Sequence, residues 1–578
     1  MNCFCMEWPS SGAALTTTFT VSTAAWVSPN PGALRYTIGY VARGFGRSTT
    51  DIVLSTGAAT TVATTLPANA TRDGVASDAR VFVVADDRGA TTRLEATVRV
   101  SAVSGQAASA AAATALTAAL ALGDVVMRAT AAVTAAASLN SAGVAAASDA
   151  AELSRRRSIR AGAMGAVADA ADVAVAAIAG TIEPEVLASY VTSIAAVSAV
   201  AGEMDKATAR RGVNATRALV SAPASGPADL ATLDAATSTC GAALEVVSIE
   251  IARNASNVTS SRSNASSVGM AEARRRKLLE DPMSCSPRRR KLLESASGAS
   301  AAAAAAADDD VDDDDAPVYD PVVALALSTA VAITRAAVRG QAANETASEM
   351  SQAFIGVRAE RIFPKDLRPG LRAFSAPGRN AAEYFIPARL ASFVYRDAHV
   401  DVFTYRISGS TLPSATRMMS DGSALELLND DGVYPALPPG YDEVMTVHVP
   451  MSGIPMKPLE RVLYEYRCAR HEAGKWVVDD PQRRWWTESV EEERPGQGHV
   501  VCKGKGGVFL GYVVGLVIAP IDFTVDESLR ESATTINIYW YVIGGVAAFA
   551  MMYAMIGLCC GMRRSHVKVT GDDYLDKS

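Results

Sequence analysis

The sequence predicts a multidomain α+β protein: an N-terminal β-sandwich, an alanine-rich helical layer, a second β-sandwich and one C-terminal transmembrane helix. Three observations carry this. Short β-branched and aromatic runs fill residues 11–103 and recur at 318–525. Between them, residues 107–251 are dominated by alanine, the strongest helix former. Near the end, an uncharged apolar run extends from Ile538 to Cys560.

Composition fits this division. A chain of 578 residues has room for several domains. Its residues are 49% hydrophobic but only 6% aromatic, so much of the apolar content is small-residue helix. The formal net charge of -7 argues against a nucleic-acid partner, since phosphate binding needs a basic field.

In the first β region, "TTTFTVSTAAWV", "LRYTIGYVARGF", "TDIVLSTG", "RVFVVADD" and "TRLEATVRVSAV" read as strands. Turn chemistry such as Pro29-Asn30-Pro31-Gly32 and Asp86-Asp87-Arg88-Gly89 separates them, as in a sandwich. In the alanine-rich region, Gly180 and Pro184 punctuate separate helices, which predicts an antiparallel layer. Residues 252–317 read as a disordered low-complexity insert. It holds two identical heptapeptides, Arg274 to Glu280 and Arg288 to Glu294, followed by an acidic run, Asp308 to Asp315. Each basic cluster is a candidate proprotein-convertase target, cut after Arg276 or Arg290; the competing reading is a solvated basic stretch beside the acidic one. A further helix at about 322–339 leads into strands that flank a loop containing Trp476, Trp485 and Trp486.

At a rise of ~1.5 Å per residue, the run 538–560 crosses ~30 Å of hydrocarbon. Tyr539, Trp540 and Tyr541 mark one interface, and Arg563, Arg564 and Lys568 follow the other end. The basic flank predicts a cytoplasmic tail at 561–578 and an extracellular N-terminus on the plasma membrane. Asn69, Asn214, Asn254, Asn257, Asn264 and Asn344 each begin an N-x-S/T triplet before the span, as expected of glycosylation outside the cell. The start, "MNCFCMEWPSSGAAL", carries no readable signal peptide, so either a leader lies outside this chain or the final helix serves as the insertion signal.

Connectivity of cysteines does not follow from sequence, and that of Cys240 and Cys285 stays open. Cys468 with Cys502 is the natural disulfide, whose closure contributes ~3 to 4 kcal/mol in the chain-entropy model. Cys559 and Cys560, at the inner membrane edge, read equally as a palmitoylation site or as apolar filler. The chain has only five histidines and shows neither hydrolase nor phosphate-loop spacing, so no enzyme, cofactor or metal is expected.

"FTVSTAAWVSPNPGALRYTIGYV" resembles the opening of a REJ (receptor for egg jelly) module, which implies an immunoglobulin-like (Ig-like) sandwich at 11–103. The helical layer at 107–251 and the β region at 318–525 resemble the two subdomains, A and B, of a GAIN domain. A GAIN domain ends in a GPS motif, and Cys468, Trp476 and Cys502 stand at matching places. REJ, GPS and a membrane helix together are similar to the extracellular half of polycystin-family proteins. The resemblance covers most of residues 11–525.

GPS motifs that cleave themselves use a Thr or Ser hydroxyl on the preceding carbonyl, helped by a nearby histidine. The matching stretch here is Lys503, Gly504, Lys505, Gly506, Gly507 and Val508, with His499 the nearest histidine. The expectation is therefore a folded, uncleaved motif. The implied protein is a single-pass, receptor- or adhesion-like surface protein that engages an extracellular ligand or a partner membrane protein. The alternatives are the amino-terminal part of a polycystin-like, calcium-permeable channel and a self-processing module.

Overall fold

The computed structural model describes residues 3–267 and 320–520, short stretches between elements aside, together with Met551. The expected membrane span apart from Met551, the tail, and Asn69, Arg276, Arg290, Cys559 and Cys560 lie outside the described residues.

The first β region holds two sheets. Strands β1 (Cys3–Glu7), β3 (Thr18–Ala24) and β6 (Thr61–Thr65) pair in the order β1-β3-β6. Strands β2 (Ser11–Ala13), β4 (Arg35–Arg43), β5 (Thr49–Gly57), β7 (Ser77–Asp87) and β8 (Ala90–Ser101) form a second sheet, in the order β2-β8-β7-β4-β5. Alternation sets which side chains face inward: Val98 and Val100 of β8 are buried while Arg99 between them is exposed. The β region expected from residue 11 begins earlier, since β1 pairs with β3 in register from Cys3 opposite Ala24 to Glu7 opposite Thr20.

The helices are α1 (Gly105–Leu120), α2 (Val125–Ser141), α3 (Ala150–Ala177), α4 (Pro184–Ser198), α5 (Lys206–Ser221), α6 (Leu230–Ser267) and α7 (Pro321–Val338). Asp205 and Asp320 cap α5 and α7, accepting from the backbone N–H of Thr208 and Val322. Helix α6 runs on to Ser267, past the boundary at 251 expected for the insert. Ala236, Cys240 and Leu244 in its N-terminal half are fully buried, and that anchored half supports the polar half that continues it. Leu230–Asn254 and α7 are both long and apolar enough to cross a membrane. Here Leu244 and Val247 of the first, and Val323 and Ile333 of the second, are buried in the core.

The helical layer encloses a charged network. Glu203 is fully buried and accepts from Arg156 at 2.7 Å and from Arg160 at 2.9 and 3.0 Å. Arg160 also donates to the Asn140 side chain and the Val197 carbonyl, and Arg156 to Glu152 at 2.7 Å.

The second β region also has two sheets. The larger contains β9 (Ser348–Ser351), β10 (Ile355–Ile362), β13 (Val400–Ile407), β14 (Gly422–Leu428), β16 (Tyr464–Glu472), β17 (Lys475–Val478) and β20 (Val514–Pro520), in the order β17-β16-β20-β14-β13-β10-β9. The smaller contains β11 (Arg372–Ser375), β12 (Glu383–Ile386), β15 (Val444–Pro450), β18 (Trp485–Arg494) and β19 (Gln497–Lys505), in the order β11-β12-β15-β19-β18. Every residue of β13 and β14 is buried, because the larger sheet is covered on both faces. Tyr405 and Ile407 join the core that contains the helices, whereas Val400 and Val402 join the core shared with the smaller sheet. The first of these cores also contains Ile38 and Tyr40 of β4, so helices and N-terminal strands share one interior.

Candidate functional site: a disulfide-closed turn between two sheets

Strand β16 presents Tyr466, Cys468 and Arg470 inward, as period-2 alternation requires. Cys468 is bonded to Cys502 of β19, and both are fully buried. These strands belong to different sheets, so the bond joins the two layers of the sandwich rather than closing one hairpin. Facing sheets usually stand ~10 Å apart. The two Cα atoms are 5.9 Å apart, so the layers converge at this point. A second tie runs beside it, the Cys468 N–H donating to the Thr487 hydroxyl at 2.9 Å. Cys502 itself lies opposite Val447 of β15 and Thr487 of β18.

Past Cys502 the chain leaves one sheet and enters the other. Lys505 N–H donates to the Arg484 carbonyl and Gly506 N–H to that of Glu443, ending β19. Gly506 and Gly507 then adopt φ of 65° and 69°, a backbone that side-chain-bearing residues rarely hold. The chain next enters β20, which lies between β16 and β14 with Val514, Leu516 and Val517 fully buried. Ser420 secures this strand by accepting from the Leu516 N–H at 2.8 Å.

Arg470 sits over the Trp485 ring at 4.2 Å and over the Tyr512 ring at 4.1 Å, and donates to the Val508 carbonyl. This guanidinium connects β16, β18 and the turn that precedes β20. Sequence reasoning passed over it; the available signal was that Arg470 has the same parity as Cys468, and so faces inward.

Two histidines lie on the outer face of the smaller sheet. The rings of His448 and His499 stack with centroids 4.7 Å apart, and His499 Nε2 is 3.1 Å from a Glu491 carboxylate oxygen. Partial burial pushes the His448 pKa down and the His499 ring adds to this, while Glu383 and Glu491 act the other way. Six residues of strand at ~3.3 Å each separate His499 from Lys505, about 20 Å. From there it cannot reach a proton in the turn.

Among the expected glycosylation positions, Asn214 and Asn254 are exposed on α5 and α6, and Asn257 and Asn264 fall within α6. Asn344 is exposed in a turn at φ 66°. Its amide donates to Asp366 at 2.7 Å and its side-chain oxygen accepts from the Phe363 N–H at 3.3 Å.

No protein-family model matches the sequence, and neither does any curated protein. Among solved structures, the chain is similar to the full extracellular region of zebrafish Gpr126/Adgrg6 at 8% identity and a TM-score of 0.25. The match covers 78% of this chain and 44% of that one, so the chain spans less than half the length of this neighbour.

Proposed function

We propose that the chain is a single-pass, receptor- or adhesion-like cell-surface protein whose ectodomain ends in a GPS-type β domain that does not cleave itself. The observation that carries this reading is the Cys468–Cys502 bond between layers, followed at once by a glycine turn and a strand buried between two neighbours. Self-cleavage at such a turn needs a hydroxyl or thiol poised beside the preceding carbonyl. From Lys503 to Val513 there is no Ser, Thr or Cys, so the turn has a GPS frame without a nucleophile. The ectodomain then stays one covalent piece and conveys binding to its membrane helix through an unbroken backbone. Uncharged Ile538 to Cys560 and the N-x-S/T triplets before it support the placement in the membrane.

Full-length protein from secretory-pathway expression, deglycosylated and reduced, should run as one band on a denaturing gel. Two fragments meeting near Gly506 would overturn the uncleaved reading. Recovery in the soluble fraction without glycans would overturn the membrane placement.

A further inference from the structure

We propose that a cleft between the α1–α2 hairpin and the edges of β5 and β6 binds a short, extended, uncharged peptide segment of a partner protein, which adds as a strand beside β6. The cleft has a volume of about 510 Å³. It exists because the hairpin presents Ala118, Ala131 and Ala135 to it, and methyl groups cannot fill the space between helices and strands.

Its orientation comes from the lining. Val62, Ala63, Thr64 and Thr65 all border the cleft, although successive side chains of a strand point to opposite faces. Four consecutive residues on one space fit a space that runs along the strand's edge, where backbone N–H and C=O groups project. Strand β6 ends its sheet, and among the described residues it pairs with β3 alone. The occupant therefore meets a ladder edge on one side and alanine methyls on the other. That is the environment of an added strand.

Volume and charge restrict the occupant further. Strand spacing, sheet spacing and rise give an extended residue roughly 160 Å³, so the cleft holds about three residues. No charged side chain lines it. The charges of the α1–α2 connection are engaged locally, Arg128 donating to the Leu122 carbonyl at 3.1 Å and Asp124 accepting from the Met127 N–H at 2.7 Å. A neutral, apolar segment complements such walls. The Thr130 and Thr134 hydroxyls of the helical wall donate to the carbonyls of Val126 and Thr130, so donors for an occupant come from the β6 side. Met127, 62% exposed at the mouth, supplies a flexible side chain that can close over a bound segment.

The test uses the full-length chain in lipid nanodiscs, where no free detergent competes, and a fluorescein-labelled Thr-Val-Thr-Val peptide. Saturable anisotropy is expected, weakened about tenfold or more when alternate peptide amides are N-methylated, because methylation removes ladder donors and leaves the side chains intact. Ala131→Leu, which fills the cleft, should weaken binding similarly at an unchanged melting temperature. No saturation up to about 1 mM peptide, or equal binding of the N-methylated peptide, would overturn strand addition. Unchanged binding to a folded Ala131→Leu variant would place the peptide elsewhere and overturn it too. The N-methyl comparison uses the unaltered protein, so it decides the matter even where the variant fails to fold.

Discussion

The helical layer and the C-terminal sandwich solve the same packing problem with different materials. In the helices the buried face is mostly methyl groups, among them Ala132, Ala135, Ala163, Ala196 and Ala242, and what makes the arrangement unique is a fully enclosed carboxylate, Glu203, between two arginines. In the sandwich the interior is made of Trp485, Tyr384, Phe509 and valines, and what fixes it is a covalent bond and a guanidinium between two aromatic rings. Alanine surfaces are smooth and interchangeable, so helices bearing them could slide past one another. A buried ionic network with one satisfying geometry removes that freedom, at a desolvation cost. Large rings interlock by shape and need no such device.

The contrast can be broken from either side. Glu203→Ala leaves Arg156 and Arg160 without their shared carboxylate in a dry interior and should destabilise the protein by about 3–5 kcal/mol, the largest effect expected. Denaturant unfolding followed by far-ultraviolet circular dichroism measures it; a loss below 1 kcal/mol would show that alanine packing alone sets the helical register. Cys468→Ser with Cys502→Ser should cost about 3–4 kcal/mol on the chain-entropy model, read by tryptophan fluorescence from the sandwich. If this variant melts the helical signal first, the larger sheet does not couple the two cores as its two buried faces imply.

The smallest effect concerns pH. His448 has its pKa depressed in the folded state, so the unfolded chain binds the proton more readily. Stability is then complete above the unfolded value of ~6.5 and falls as pH drops from there through the lower folded value. Because the ring is only half-buried, solvent screening should hold the loss below about 0.5 kcal/mol. His448→Gln should flatten the difference in melting temperature between pH 7.5 and pH 5.5, and an unchanged difference would assign the pH response to other groups.

How much of this could be read in advance depended on whether a residue's neighbours lie close in the chain. The strands around Cys468 and Cys502 were legible because alternation is a local pattern, whereas the turn at Gly506 and Gly507 was not read, since the apolar run that follows it looks like strand from Val508 and β20 begins only at Val514. The Glu203 network was not, since its members come from α2, α3 and the segment before α5, and an alanine-rich helix carries no apolar stripe to show which face turns inward. Residues 252–267 read as disordered because they are polar, yet they continue a helix whose preceding turns are buried. Full burial of β13 and β14 likewise reflects a second covering layer, which no single strand encodes.

Cys240 shows a further consequence of the alanine interior. It is unpaired and fully buried in α6, and burial pushes its thiol pKa up to about 12. At neutral pH its thiolate fraction is well under about one in a thousand, and exchange chemistry requires thiolate. In an oxidising compartment a stray thiol threatens to scramble correct bridges. Here the fold keeps that sulfur chemically silent, so once the helices have closed Cys240 takes no part in exchange with the bond between the sandwich layers.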